Sequence, residues 1–303
     1  LTVSLVRSGE FHFPSTIWQS NVVNQSKTVD VIIPVYSGFE ETKACLESVY
    51  ATLTLNHVTM RLLIVNDASP NVMLCEYLKQ ESYLGKITLI ERAFNLGFVG
   101  AINTGLAHSK SEHDVVLLNA DTIVVSNWLD RLKTLSQREP NIGTVTPISN
   151  NAELLSYPNS MMPNPMPDLK ETKLLDQLFS QLGLGEAQVI PSGVGFCFYI
   201  RRALLQEQPF LNEKLIQRGY GEETEFCLKA AAKGWKNVVA TNVFVAHKGG
   251  VSFGEEKQAL ARYHVAQIHA RFPRHGAEYD RFLHQQPLQP LFQKVNECRM
   301  AKR

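Results

Sequence analysis

The chain has 303 residues, is 44% apolar and 19% charged, and carries a formal net charge of +1, which suits one large or two small globular domains. That balance gives no bulk attraction for nucleic acid or for an anionic membrane surface, and no run of about 18 apolar residues is available to span a bilayer. Five scattered cysteines without CxxC spacing exclude a zinc ribbon and a disulfide framework, and suit a reducing, cytoplasmic compartment.

The sequence opens at Leu1-Thr2-Val3 with neither an initiator methionine nor a charged-then-apolar leader, and reads as part of a longer protein. Residues 1–28 carry Phe11, Phe13 and Trp18 without a clear period and read as an arm or linker. Residues 29–36 predict a buried strand ended by proline, and 39–53 a helix with Ala44, Leu46, Val49 and Tyr50 on its apolar face. A second strand over 61–65 ends in Asn66-Asp67-Ala68-Ser69-Pro70. A helix over 72–84, a strand over 86–90 and a helix over 99–108 follow. The four apolar residues Val115 to Leu118 form a fourth strand that stops at Asn119-Ala120-Asp121. A helix over 128–138 and a strand over 142–147 end the series. This alternation predicts an α/β fold with a mostly parallel central sheet covered by helices on both faces.

From 150 to 186 the rhythm breaks. Pro158, Pro163, Pro165 and Pro167, among Met161, Met162 and Met166, oppose regular structure until a short helix over 174–182. So long an irregular insertion reads as a functional loop, and residues 158–167 as an acceptor-facing lid that moves in the absence of ligand. Residues 193–200 are strand-like, 222–233 helical, 238–246 a strand leading to His247, and 255–272 an amphipathic helix. The tail after Pro287 reads as peripheral.

The polar residues that carry chemistry gather where strands end. Asn119 and Asp121, one residue apart in extended chain, face the same way, and ligands of open α/β sheets bind beyond the carboxyl ends of strands. Oxygen ligands there suit a hard divalent cation carrying a diphosphate; a plain polar turn is the alternative. Asp67 can accept a hydrogen bond from a base imide, or belong with Asn66 to an Asx-turn before Pro70. Asn95-Leu96-Gly97 opens a helix after the third strand, and lacks the GxGxxG of a dinucleotide fingerprint. Glu222 and Glu223 with Glu225 fill the first turn of a helix, as complements to its dipole or as a general base. His247 ends a strand beside Gly249 and Gly250, as a structural histidine or as a metal ligand with Asp121.

In this order the motifs resemble inverting family 2 glycosyltransferases of the GT-A (Rossmann-like) fold, and most closely their bacterial rhamnosyltransferase-like branch. The matching pieces are IIPVY at 32–36, VNDAS at 65–69, NLGFVGAINTG at 95–105, LLNADT at 117–122, GVGFC at 193–197, GEETEFCLKAAAKGW at 221–235 and HKGGVS at 247–252. The resemblance implies a GT-A domain over 29–272, with a nucleotide-binding half (29–147), an acceptor-binding half (148–272) and a tail (273–303). It implies that Pro34, Val35 and Tyr36 line the base and ribose, that Asp67 holds the base, and that Asn95, Gly97, Asn103, Asn119 and Ala120 lie along the nucleotide sugar. Asp121 and His247 would hold Mn²⁺ or Mg²⁺. Glu223 would be the catalytic base with Glu222 as a supporting acid, and Gly193, Gly195 and Phe196 would face the acceptor.

The implied activity is transfer of a hexose from a UDP- or dTDP-type donor to a glycan or lipid-linked saccharide, in surface polysaccharide synthesis at the inner face of the membrane. Two residues depart from the family pattern. Asn119 stands at the first position of the DxD motif, and Glu223 replaces the usual aspartate. A degenerate domain that binds a sugar or a partner protein without turnover is the alternative. A sugar nucleotidylyltransferase would want a basic glycine-rich loop where Ser37-Gly38-Phe39-Glu40-Glu41 is acidic.

Overall fold

The computed structural model describes residues 26–212, 221–249, 268 and 270–302. Most of the expected N-terminal arm, most of the helix expected over 255–272 and the loop after Gly249 lie outside those residues.

The chain runs β1 (Thr28–Val35), α1 (Phe39–Thr52), β2 (Thr59–Asn66), α2 (Val72–Tyr83), β3 (Thr88–Glu91), α3 (Gly97–His108), β4 (Asp114–Leu118), β5 (Thr122–Ile123), α4 (Trp128–Ser136) and β6 (Ile142–Ile148). It continues with α5 (Leu169–Leu182), β7 (Ala187–Val189), β8 (Cys197–Ile200), α6 (Arg202–Glu207), α7 (Glu222–Ala232), β9 (Lys236–Phe244) and β10 (Ala246–His247). Helices α8 (Pro273–Gln285) and α9 (Gln289–Ala301) end it. An eight-stranded sheet has the order β3-β2-β1-β4-β8-β6-β9-β7, and β10 and β5 form a separate two-stranded ribbon. β8 lies antiparallel between β4 and β6, and β7 antiparallel at the edge beside β9; the other six strands run one way.

Alternation along the strands divides the core into two layers. Val29, Val31, Ile33 and Val35 of β1 point to the face covered by α1, α2, α4, α5 and α9. Ile32 points to the other, with Leu63, Val65, Val115 and Leu117, beneath α3, α6 and α7. Both faces are covered, so the central strands are apolar throughout, which is what made them readable. At the far end of the sheet from the strand exits, the fully buried Asp30 accepts from Arg61 Nε and Nη2 at 2.8 and 2.7 Å, from the Lys110 amide at 2.8 Å, and pairs with His113 Nδ1 at 2.8 Å.

The structure departs from the sequence reading in three places. Helix α5 begins five residues before the expected 174, because the Asp168 carboxylate caps it by accepting from the Glu171 amide at 2.7 Å. The strand expected from 193 starts only at Cys197. The tail read as peripheral contains α9, whose Phe292 and Val295 are buried in the larger core layer, with Phe292 edge-on to both Tyr157 and Phe179. Burying two such side chains contributes roughly 1.5–3 kcal/mol each, so α9 belongs to the domain. The 158–167 segment has no regular structure, as expected, and is tied down by Asn164. That buried side chain donates to the carbonyls of Asn150, Asn159 and Met162 at 3.0–3.1 Å.

Candidate active site

Strand β4 ends where β8 begins. Leu118 pairs with Cys197, and the Asn119 amide extends the ladder by donating to the Phe196 carbonyl at 2.8 Å. The chain then turns through Ala120 into the β5–β10 ribbon, where Thr122 pairs with His247. Each ribbon strand is only two residues long, yet the ribbon brings His247 Nε2 to 3.4 Å from Asp121 Oδ1. The Lys248 amide donates to the Asp121 carbonyl at 3.0 Å, and the Gly249 amide to Asp121 Oδ2 at 2.9 Å. Gly249 has φ +63°, and a Cβ there would lie 2.0 Å from the Asn151 side chain, so only glycine fits this turn.

His247 is held in a defined orientation. Its Nδ1 lies 2.7 Å from the Asn151 carbonyl, which can only accept, so Nδ1 carries a proton and the ring turns its Nε2 toward Asp121. The Asn150 side chain brackets the His247 backbone, accepting from its amide at 2.9 Å and donating to its carbonyl at 2.8 Å. The Phe196 ring stacks on the imidazole. Asn119 Oδ1 is buried without a hydrogen-bond partner among the described residues, and Asn119 Nδ2 lies 3.5 Å from Nε2. Burial works to raise the Asp121 pKa, but the His247 hydrogen bond and charge and the Gly249 amide outweigh it and hold the carboxyl below its ordinary value. A carboxylate, an imidazole nitrogen and an unsatisfied amide oxygen form a donor set that would suit a divalent cation, once Nε2 is free of a proton, with positions left for phosphate and water. Among the described residues no group of three or more His, Cys, Asp and Glu side chains could hold a metal.

Glu222 and Glu223 open α7 after Gly221, whose φ of +109° turns the chain into the helix. Glu222 is buried, and both Glu222 Oε2 and Glu223 Oε2 are buried without hydrogen-bond partners among the described residues. Burial, and then the charge of Glu153, push the Glu223 pKa up to about 7, against the opposing amides of Glu223, Gly195 and Gly221. Burial and the neighbouring Glu223 raise Glu222 well above the ordinary carboxyl range. Gly195 borders this carboxylate: a Cβ there would be 3.6 Å from Glu223 Cδ. The adjacent residues Gly195 and Phe196 therefore touch both clusters, the first Glu223 and the second His247.

Beyond the end of β2, Asp67 is buried. Its Oδ2 accepts from the Gly97 amide at 2.9 Å and its Oδ1 from the Leu96 amide at 3.1 Å, with Arg92 Nε at 3.4 Å. It braces the loop that opens α3, where Asn95 Oδ1 also accepts from the Gly97 amide at 2.8 Å. Asn66 forms the expected Asx-turn, its Oδ1 accepting from Ser69. Tyr36 is 43% exposed at the end of β1 and Pro34 is half-buried, whereas Val35 belongs to the core and can offer a ligand only backbone.

Three residues given ligand-facing roles in the sequence reading have structural partners. Asn103 is bound at both ends of its amide to the Leu211 backbone, at 2.9 Å each. Gly193 is buried, its amide 3.2 Å from Cys227 Sγ, and a Cβ there would be 2.4 Å from the Phe198 ring. Phe196 is 1% exposed and supports His247 from below. Glu153 escaped the reading of the sequence. It is a single acid in an irregular segment, 70 residues from Glu223, with no motif to mark it.

The family model for glycosyl transferase family 2 matches residues 30–208, which stops short of Glu222, Glu223 and His247. A curated relative, an uncharacterized glycosyltransferase of Haemophilus influenzae (strain ATCC 51907 / DSM 11121 / KW20 / Rd), is 25% identical over 115 residues. The match covers 38% of this chain and 34% of the relative, so the chain spans about a third of that protein's length. Among solved structures, the mannosyltransferase PcManGT from Pyrobaculum calidifontis, in complex with GDP-Man and Mn²⁺, is similar with a TM-score of 0.58 and 17% identity, over 90% of this chain and 75% of that one. GalNAc-T7 with UDP, GalNAc and Mn²⁺ is similar with a TM-score of 0.57 and 17% identity, over 89% and 55%. These likenesses establish the fold, that of GT-A glycosyltransferase structures.

Proposed function

The chain belongs to glycosyl transferase family 2, and on that premise we propose that it is a metal-dependent, inverting glycosyltransferase of the hexosyl type. It would move a sugar from a nucleoside diphosphate donor to a saccharide or lipid-linked acceptor. The observation that carries this reading is the Gly195-Phe196 step, which joins a carboxylate with a pKa near neutrality to an aspartate–histidine pair suited to a cation. Inverting transfer needs these two devices close together, a base for the attacking hydroxyl and a charge sink for the departing diphosphate.

In this reading Glu223 takes the proton of the acceptor hydroxyl as its oxygen attacks the anomeric carbon from the side opposite the leaving diphosphate. Glu222, kept neutral by burial, holds its neighbour's charge state without competing for the proton. Asp121 and His247 would hold Mn²⁺ or Mg²⁺, which when bound stabilises negative charge on the leaving phosphate oxygens. Asp67, with lone pairs remaining after its two amide contacts, and the exposed Tyr36 would receive the base; Asn95, Gly97, Asn119 and Ala120 would border the ribose and diphosphate. The donor is of the UDP or dTDP type. The similar structures hold GDP-Man in one case and UDP in the other, so GDP belongs in any test. No helix among the described residues is long and apolar enough to cross a membrane; a lipid-linked acceptor would be met at the inner face of the membrane, in surface polysaccharide synthesis.

Asn119 at the first position of the metal motif favours a second reading, a domain that binds sugar nucleotide without turnover. Calorimetric titration with UDP, dTDP and GDP, each with Mn²⁺ and with EDTA, tests the first step. Binding of one nucleotide that needs metal and is lost in Asp121→Ala supports the donor site. Consumption of the matching donor sugar then separates enzyme from binding domain, and metal-independent binding would sink the proposed cation site.

A further inference from the structure

A cleft of about 290 Å³ lies beside the site, and no role proposed above uses it. It is lined by Pro158, Pro165, Met166 and Pro167 of the irregular segment, by Glu171 and Leu175 of α5, and by Arg299, which pairs with Glu171. Asn150 also lines it, and this is the side chain that brackets the His247 backbone. An occupant would therefore sit one residue away from the His247 arm.

The lining narrows the chemistry of the occupant. Asp168 and Glu171 supply two carboxylates against the single guanidinium of Arg299, which is already ion-paired, so a phosphate or other anion would meet net negative charge. An alkyl chain would have to desolvate those three charged groups without replacing their hydrogen bonds. A pyranose ring suits a lining of both kinds. Its C–H faces lie against proline rings and a methionine, and its hydroxyls donate to carboxylates and accept from the guanidinium. The volume is near the lower end of small-molecule pockets, at roughly 300 Å³, and fits a saccharide of one or two rings.

We propose that this cleft is a neutral-saccharide subsite that holds a sugar unit of the acceptor remote from the reacting hydroxyl. Saccharide binding stands on the cleft alone, while its role as an acceptor subsite rests on the glycosyltransferase reading above. The irregular segment then reads the acceptor chain, with Met166 and its flanking prolines as the apolar platform.

The test is saturation-transfer NMR on the full chain without metal or nucleotide, using mono- and disaccharides of glucose, galactose, mannose, N-acetylglucosamine and rhamnose. At least one should receive transfer at its ring protons. Binding should weaken at least roughly tenfold in Met166→Trp, which fills the cleft from a partly exposed position, and persist in Asp121→Ala. Arg299→Gln serves as a second variant and should weaken the same saccharide if Met166→Trp does not fold. Nucleotide titration on the same sample separates the two readings. Nucleotide binding without any saccharide binding overturns the cleft and leaves the transferase reading standing. Cleft-dependent saccharide binding without any nucleotide does the reverse. Saccharide binding unaffected by both cleft variants also overturns the proposal.

Discussion

The Phe196 ring lies stacked on the His247 imidazole, with centroids 5.2 Å apart and planes 19° from parallel. The same residue accepts the Asn119 amide hydrogen bond through its carbonyl. One buried side chain thus fixes the histidine face while its backbone fixes the end of β4. Phe196→Leu keeps the apolar volume and should cost roughly 1.5 kcal/mol or less of stability. Removing an outer support of a metal ligand typically weakens metal binding by about 10–100-fold. Mn²⁺ affinity measured by electron paramagnetic resonance should fall within that range. Unchanged affinity in a folded variant would mean that the stacking is packing alone.

Glu223→Gln should lower transfer by roughly 10²–10⁴-fold, the usual contribution of a general base, with nucleotide affinity unchanged. Because the base must be ionised, the wild-type rate should rise with pH through about 7, where burial and Glu153 place this group. Glu153→Gln removes a repelling charge and should move that inflection to lower pH. A rate independent of pH between about 5 and 8 would remove Glu223 from the role.

Glu222 bears on stability in the opposite direction. Its folded-state pKa lies above the unfolded value, so the native state holds the proton more tightly, and stability falls as pH rises from the unfolded value through the folded one. Glu222→Gln removes a buried acid that ionises at a cost. The variant should melt higher than wild type at about pH 8, with the difference shrinking toward about pH 5. A lower melting temperature at the alkaline end would show that the carboxyl is stabilising.

The two glycines of the 193–197 motif should behave differently. A methyl at Gly193 meets the Phe198 ring at 2.4 Å and Thr146 Oγ1 at 2.8 Å, so Gly193→Ala should destabilise by about 1–3 kcal/mol. A methyl at Gly195 makes ordinary contact, 3.6 and 3.7 Å from the Glu223 carboxylate. Gly195→Ala should fold like wild type and lose transfer, because the methyl borders the carboxylate that the proposed mechanism brings to the acceptor hydroxyl. Urea midpoints and initial rates together decide this; equal stability losses would contradict it.

Asp30 lies at the far end of the sheet from this chemistry. Burial raises its pKa, and Arg61, His113 and the Lys110 amide overcome that and leave it below the ordinary value. Its contribution is therefore present above the unfolded pKa and lost as pH falls toward the folded one. Asp30→Ala should cost roughly 3–5 kcal/mol, the usual range for breaking a buried pair, and leave nucleotide affinity per folded molecule unchanged. A urea midpoint close to that of wild type would show that the network is dispensable.

The central strands were legible because both their faces are buried, which leaves runs such as Val115 to Leu118 with no polar residue. The β5–β10 ribbon was not, since two-residue strands carry no period; hence the residues alone left the pairing of Asp121 with His247 as one of two alternatives. Motifs also say nothing about which way a side chain points. Asn103 and Gly193 sit in matched segments, yet face Leu211 and the Phe198 ring. Helix α9 read as peripheral because its apolar residues are few and follow prolines, although Phe292 and Val295 fill a gap beside Tyr157 and Phe179.

The reversed direction of β8 makes the site sensitive to chain length as well as to residue identity. Cys197 opposite Leu118 is the last rung of a ladder only four pairs long, and residues 195 and 196 are placed by counting back from it. Residues 195 and 196 form the turn that enters the strand, so inserting or deleting one residue between 193 and 197 would displace both along the chain. Phe196 would then leave the imidazole and Gly195 the carboxylate in the same step, while the sheet itself survived. Natural variation in this stretch should therefore take the form of replacements and spare its length.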